Sequence, residues 1–178
     1  MTLRVKTGNQ LNVTERFLAR VAELKSRFPE GKQKSALLTI LHELQNDNND
    51  WLSIEAMDKV AELLNIKPIE VYEVVSFYTM YNQQPVAKYM FEFCHTGCCM
   101  TRGVEDLMDY TCQKLGVKPG ETTSDGLFSV KGVECLGACG YAPMLQLGDF
   151  YHEFLTPEKM DALIEDCRAG KVELISQV

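Results

Sequence analysis

All seven cysteines of this 178-residue chain lie between positions 94 and 167, at 94, 98, 99, 112, 135, 139 and 167. The first half carries none, so whatever chemistry the thiols perform belongs to the second half. The count is odd, and a chain of this length can build an apolar core without disulfides. The opening Met1-Thr2-Leu3-Arg4-Val5-Lys6 lacks the apolar stretch of a secretion signal, which predicts a cytoplasmic location and reduced thiols. Clustered cysteines in a reducing compartment bind metal or do redox chemistry. The second half must therefore fold so that its loops, rather than its core, present thiols.

Apolar residues make up 46% of the chain and charged residues 24%, which excludes disordered, collagenous and low-complexity classes. No apolar run approaches the roughly 20 residues that span a bilayer, so no direct membrane insertion is expected. A net charge of −7 argues against nucleic acid as a partner.

Hydrophobic spacing divides the chain. Phe17, Val21, Leu24 and Phe28 recur at helical period behind Asn12 and Glu15, which resemble a capping box, and Pro29 and Gly31 close that segment. A second helix is predicted from about Lys34 to Leu44. Ser53 can cap a third, carried by Ile54, Met57, Val60, Ala61 and Leu64. Pro68 suits the first position of a fourth, with Ile69, Tyr72, Val75 and Tyr78 along one side. Residues 1–84 thus read as a helical bundle, and 85–178 as a separate domain. There, Lys88 to Phe93 alternates like a strand, and a helix is predicted from about Arg102 to Leu115. Strands follow at 127–133 and 143–147, with a turn at Gly148-Asp149 into another through Phe154. Thr156-Pro157-Glu158 opens a last helix with Met160, Leu163 and Ile164 inward. That order suggests a thioredoxin-like α/β domain, and the whole an α+β chain in two parts.

Two short cysteine pairs stand just after predicted strands, in Cys94-His95-Thr96-Gly97-Cys98-Cys99 and in Cys135-Leu136-Gly137-Ala138-Cys139. Loops at strand ends can aim several thiolates at one point. Four thiolates suit a 2Fe–2S cluster, a 4Fe–4S cluster or zinc. Zinc ribbons usually leave two residues between paired cysteines, whereas the gaps here are three or four. The looser spacing favours a bridged iron–sulfur cluster and leaves zinc open. Gly97, Gly137 and Gly140 can bring backbone N–H groups toward sulfur, or simply make tight turns. A thiol–disulfide oxidoreductase is disfavoured, because no Cys-x-x-Cys occurs.

The strings Cys94-x4-Cys99-Met100-Thr101-Arg102-Gly103, Val133-Glu134-Cys135-Leu136-Gly137-Ala138-Cys139 and Ala142-Pro143 resemble one family in particular. It is that of the thioredoxin-like 2Fe–2S subunits, the E subunits, of NADH:quinone oxidoreductase (respiratory complex I). The helical half agrees through Phe28-Pro29, Lys34-Ser35-Ala36-Leu37-Leu38, Trp51-Leu52-Ser53 and Val74-Val75-Ser76-Phe77-Tyr78-Thr79-Met80-Tyr81. The resemblance runs over about residues 15–170. It implies a helical domain followed by a thioredoxin-like domain, with one 2Fe–2S cluster on Cys94, Cys99, Cys135 and Cys139, one pair for each iron. It also implies two partners. One is a flavoprotein subunit that binds FMN and NADH and carries a 4Fe–4S cluster; the other is a larger iron–sulfur subunit. The implied role is one-electron exchange near the partner's flavin, peripheral to the inner membrane, with no hydride-transfer site on this chain. The same resemblance admits the equivalent subunit of an NAD-linked hydrogenase or formate dehydrogenase.

Cys98 departs from the family pattern, which usually has a non-ligand there. Cys99, directly before Met-x-Arg-Gly, is the expected ligand and Cys98 a free thiol. Cys112 and Cys167 read as core residues. His95 lies inside the cysteine loop and is expected not to ligate, since four cysteines suffice. His42 and His152 read as surface or hydrogen-bonded histidines. Trp51 and the Phe77-Tyr78-Met80-Tyr81 stretch read as core, and Arg102 as the opening residue of the helix after the first pair.

Overall fold

The computed structural model describes residues 11–174, and the chain divides into two compact units between Pro85 and Val86. Among the described residues no helix is long and apolar enough to cross a membrane.

The first unit is helical. Helix α1 spans Glu15–Ser26, α2 Leu37–Asp47 after a 3-10 turn at Gln33–Ala36, α3 Ile54–Leu64 and α4 Pro68–Phe77. Phe17, Val21 and Leu24 of α1 are buried in one core with Ile40, Leu41 and Leu44 of α2, Met57 and Val60 of α3, and Val71 and Val75 of α4. Burying each large side chain of this kind stabilises the unit by about 2 kcal/mol. The N-cap of α1 is Thr14, whose hydroxyl accepts from the Phe17 amide at 3.0 Å; Asn12 instead exchanges hydrogen bonds with Asn48. Ser53 caps α3 as expected, accepting from Ala56 N–H. Pro68 opens α4, and the Glu70 carboxylate accepts from the Lys67 amide at 2.9 Å. The buried side of α4 is Val71 and Val75, not the predicted line, since Ile69 is 54% exposed. Phe77, Tyr78 and Met80 are exposed as well, whereas Trp51 and Tyr81 are buried.

A polar contact closes this unit. The buried Gln45 side chain donates to the Met80 carbonyl at 3.1 Å and accepts from the Asn82 amide at 2.8 Å. The Asn82 carbonyl in turn accepts from the Leu52 amide. A buried amide with both ends matched fixes the path of the chain after α4, because an unmatched polar group there is expensive.

The second unit holds strands β1 (Tyr89–Cys94), β2 (Phe128–Val133), β3 (Leu145–Leu147) and β4 (Phe150–His152) in the spatial order β2-β1-β3-β4. β1 and β2 are parallel; β1–β3 and β3–β4 are antiparallel. The helix predicted from about Arg102 is α6, at Val104–Leu115, and a short α5 at Gly97–Thr101, not predicted, precedes it. Tyr89, Phe91 and Phe93 alternate into a core shared with α6 and with α7 (Pro157–Arg168). Gly103, at φ +81, turns the chain between α5 and α6, so Arg102 ends α5 rather than opening α6. Cys112 and Cys167 are buried in the core, where burial pushes the Cys167 thiol up to about 11.

Replacing Gln45 by Met keeps the volume but strands the Asn82 N–H and the Met80 carbonyl. Urea unfolding followed by far-UV circular dichroism should show a loss of about 2 kcal/mol. A change below about 0.5 kcal/mol would mean these groups find other partners.

Candidate metal centre

Parallel pairing explains why the two cysteine pairs meet. β1 and β2 run side by side with Cys94 opposite Val133, so both strands end at the same edge of the sheet. The ladder continues one step through His95 N–H to the Val133 carbonyl at 3.1 Å. Cys94 is the last residue of β1, and Cys135 follows two residues after the end of β2. Cys99 lies in α5, and Cys139 opens a 3-10 turn at Cys139–Tyr141 that packs against α5.

The thiols come in pairs. The Sγ atoms of Cys135 and Cys139 are 3.7 Å apart, both exposed. The Cys94 and Cys99 thiols are both buried, and each shifts the acidity of the other. Among the described residues no three His, Cys, Asp or Glu side chains surround a common single-ion position. A tetrahedral metal with thiolate bonds of about 2.3 Å separates two of its sulfurs by about 3.7 Å. The Cys135–Cys139 spacing therefore matches two ligands of one metal.

Backbone groups aimed at sulfur decide whether an anionic cluster fits. The Gly137 amide donates to Cys135 Sγ at 3.4 Å, which the backbone permits because Gly137 sits at φ +79. Thr96 Oγ1 lies 3.5 Å from the Cys94 sulfur, and the Leu136 and Thr96 backbones favour the thiolate form of Cys94. The Met144 carbonyl accepts from the Cys94 amide at 3.3 Å, and the Met144 backbone favours the thiolate form of Cys99. The turn at Cys139–Tyr141, packed on α5, brings the second cysteine loop to the first pair. Donors directed at sulfur from both loops are what a negatively charged iron–sulfur centre requires, and the residues present fit one.

The same groups explain the acidities. Burial raises the Cys94 thiol, but Thr96, the Leu136 backbone and the neighbouring thiol together hold it below the ordinary cysteine value. Burial and the adjacent Cys94 thiol push Cys99 up to about 11. Cys139 rises to about 11 through its hydrogen bond with Cys135 and the charge that Cys135 would carry, with Cys98 adding to both effects. Two thiols at contact distance give up their second proton reluctantly.

The residues singled out by sequence sort clearly. Cys94, Cys99, Cys135 and Cys139 come to one edge of the sheet. Cys98 is exposed on α5, outside the two thiol pairs. The His95 ring lies against the β2 backbone, where a Cβ on Gly132 would stand 3.1 Å from its Cδ2. His42 is exposed. His152 is partly buried, burial lowers its pKa, and its Nε2 has no partner among the described residues. Sequence reasoning missed Thr96, Met144 and Tyr151. The Tyr151 hydroxyl donates to the Leu136 carbonyl at 2.8 Å and pins the second cysteine loop. An exposed tyrosine in a short strand carries no signal of that role.

Known proteins share this pattern. The sequence model of the thioredoxin-like [2Fe-2S] ferredoxins matches residues 21–168. The E subunit of NADH-quinone oxidoreductase from Rickettsia bellii is 45% identical over 145 residues, covering 82% of this chain and 86% of that protein. The mitochondrial NADH dehydrogenase [ubiquinone] flavoprotein 2 of Dictyostelium discoideum is 37% identical, covering 89% and 64%. A crystal structure of an NAD+-reducing [NiFe]-hydrogenase in the air-oxidized state aligns with a TM-score of 0.64 and 27% identity. That alignment covers 75% of this chain but only 23% of the hydrogenase chain. The chain belongs to the thioredoxin-like [2Fe-2S] ferredoxin family and, within it, to the E subunits of NADH-quinone oxidoreductase.

Proposed function

We propose that the chain is the electron-transfer subunit of an NADH:quinone oxidoreductase, with one 2Fe–2S cluster held by Cys94 and Cys99 on one iron and Cys135 and Cys139 on the other. The observation that carries this reading is the pairing of the thiols at the shared end of β1 and β2, with the Thr96 hydroxyl of one loop and the Gly137 amide of the other against sulfur. Such a cluster takes up and releases one electron at a time without rearranging bonds.

The protein's own part is placement. The parallel strands hold the two loops together, and the Gly137 amide and the Thr96 hydroxyl offset charge on the sulfurs. FMN and NADH belong to a partner flavoprotein subunit with its own 4Fe–4S cluster, and a larger iron–sulfur subunit completes the assembly. Hydride chemistry stays on the partner. This chain exchanges single electrons with the flavin and has no substrate site. In this reading residues 1–84 form a helical bundle and 85–178 the cluster domain, and the assembled complex holds the chain on the cytoplasmic side of the inner membrane. A second reading, the same role in an NAD-linked hydrogenase, is favoured by the structural likeness to the NAD+-reducing enzyme. The flavoprotein and neighbours that copurify with the chain separate the two.

EPR before and after dithionite, with iron, sulfide and zinc assayed on the same sample, tests the centre. Two irons and two sulfides per chain, silent when oxidised and giving a one-electron signal when reduced, are expected. One zinc and no sulfide would overturn the electron-transfer reading.

Cys99→Ser should abolish the signal and Cys98→Ser should keep it; loss of iron in Cys98→Ser would reverse the ligand assignment. Tyr151→Phe frees the Leu136 carbonyl at a net loss of about 1 kcal/mol, and should speed iron release to a chelator about fivefold. An unchanged release rate would show that Tyr151 does not steady the loop.

A further inference from the structure

One short segment fastens the second cysteine loop at both ends. The Tyr151 hydroxyl donates to the Leu136 carbonyl at 2.8 Å, and three residues later the Phe154 amide donates to the Tyr141 carbonyl at 2.9 Å. The Leu155 amide then donates to the Pro143 carbonyl at 2.9 Å. The Phe154 ring stands edge-on to that of Tyr141, with centroids 5.7 Å apart and planes at 65°. Tyr141 closes the 3-10 turn that Cys139 opens. Phe154 makes these contacts at φ +48, in the left-handed region where a bulky side chain is an outlier and glycine or asparagine the usual occupant. The turn there carries the chain from exposed Tyr151 to buried Leu155, and Thr156 caps α7 directly after it. Such a turn asks only for a residue that tolerates that φ. A ring that remains 48% exposed gains little from burial, so its contact with Tyr141 is what sets it apart from a glycine there.

We propose that Phe154 is a positioning residue for the cluster: its ring, edge-on to Tyr141, steadies the turn that carries Cys139 and so holds the Cys135–Cys139 pair at the spacing of two ligands of one metal. The proposal rests on the reading of Cys135 and Cys139 as ligands. Both thiols are exposed, whereas Cys94 and Cys99 are buried within the core of the unit. The second pair therefore depends on what its own loop is fastened to. The carbonyl contacts fix Leu136 and Tyr141 through the backbone, and the ring pair adds a side-chain contact two residues from Cys139. An edge-to-face pair of rings is worth a factor of about 2 to 10 in an equilibrium constant. Backbone and ring pull in opposite directions at this residue. The left-handed backbone disfavours phenylalanine against glycine, and the ring contact favours it. Variants that separate the two therefore separate fold stability from metal retention.

The test compares the full wild-type chain with Phe154→Gly, Phe154→Ala, Phe154→Tyr and Tyr141→Leu. Iron release to a chelator and the EPR line width of the reduced cluster are read on the loaded proteins, and urea unfolding by far-UV circular dichroism on the metal-free ones. Glycine and alanine both lack the ring and differ in how well the left-handed backbone suits them. The expected result is that both release iron about fivefold faster than wild type, by similar factors and with broader EPR lines, although the glycine variant unfolds at higher urea than the alanine variant. Tyrosine, which keeps the ring, releases iron at the wild-type rate. Tyr141→Leu matches Phe154→Gly, and combining the two adds no further acceleration. Release rates that follow the unfolding midpoints, fast in Phe154→Ala and near wild type in Phe154→Gly, would overturn the proposal and leave Phe154 a residue of the fold alone. So would release as fast in Phe154→Tyr as in Phe154→Gly, or additive effects of the two ring deletions. A wild-type chain lacking iron and sulfide would overturn the cluster reading first and this inference with it, and the metal assay identifies that case before any kinetics.

Discussion

Like charges at contact distance are the constraint on which this site depends. Four thiolates brought to one sheet edge repel one another, and in the metal-free protein protons relieve that repulsion. Cys99 and Cys139 show the effect: each sits beside a second thiol, and each is pushed up to about 11. Metal ions replace those protons with a larger positive charge, so folding and loading of such a site are coupled. The loops contribute what they can in advance. The Gly137 amide donates to Cys135 and the Thr96 hydroxyl lies against Cys94.

The strands make that prearrangement possible. An antiparallel pair would have put the ends of β1 and β2 at opposite edges, with the cysteines a strand length apart. Parallel pairing requires a crossover, which α5 and α6 supply, and α5 also carries Cys98 and Cys99. Gly103 matters here because it separates α5 from α6. The short helix can then follow the cysteine loop while the longer one packs Val104, Leu107 and Cys112 into the core.

Much of this was legible in the sequence, for identifiable reasons. Strands with alternating aromatics, the Ser53 and Thr156 caps and the Pro68 helix start are local signals, and each appears where expected. The face of α4 was not, because Pro68-Ile69-Glu70-Val71-Tyr72-Glu73-Val74-Val75 is apolar on several sides and defines no single stripe. The α1 cap was ambiguous because Asn12 and Thr14 are both good caps two residues apart, and Asn12 is drawn away by Asn48. The pairing of sulfurs needed the fold: spacing names the cysteines, but only the strand register decides which thiol faces which. Tyr151 lay beyond sequence reasoning altogether, since its partner is a carbonyl 15 residues away.

Net charge sharpens the question of how such a centre is tuned. The chain carries −7, and adding an electron to an anionic cluster inside an acidic protein is disfavoured at long range. Salt screens charges beyond about 8–10 Å, so the remote carboxylates act weakly and the nearest dipoles act strongly. Hydrogen bonds to sulfur such as that from Gly137, at 3.4 Å, therefore outweigh the surface charge. A donor that is part of the backbone sets a fixed bias.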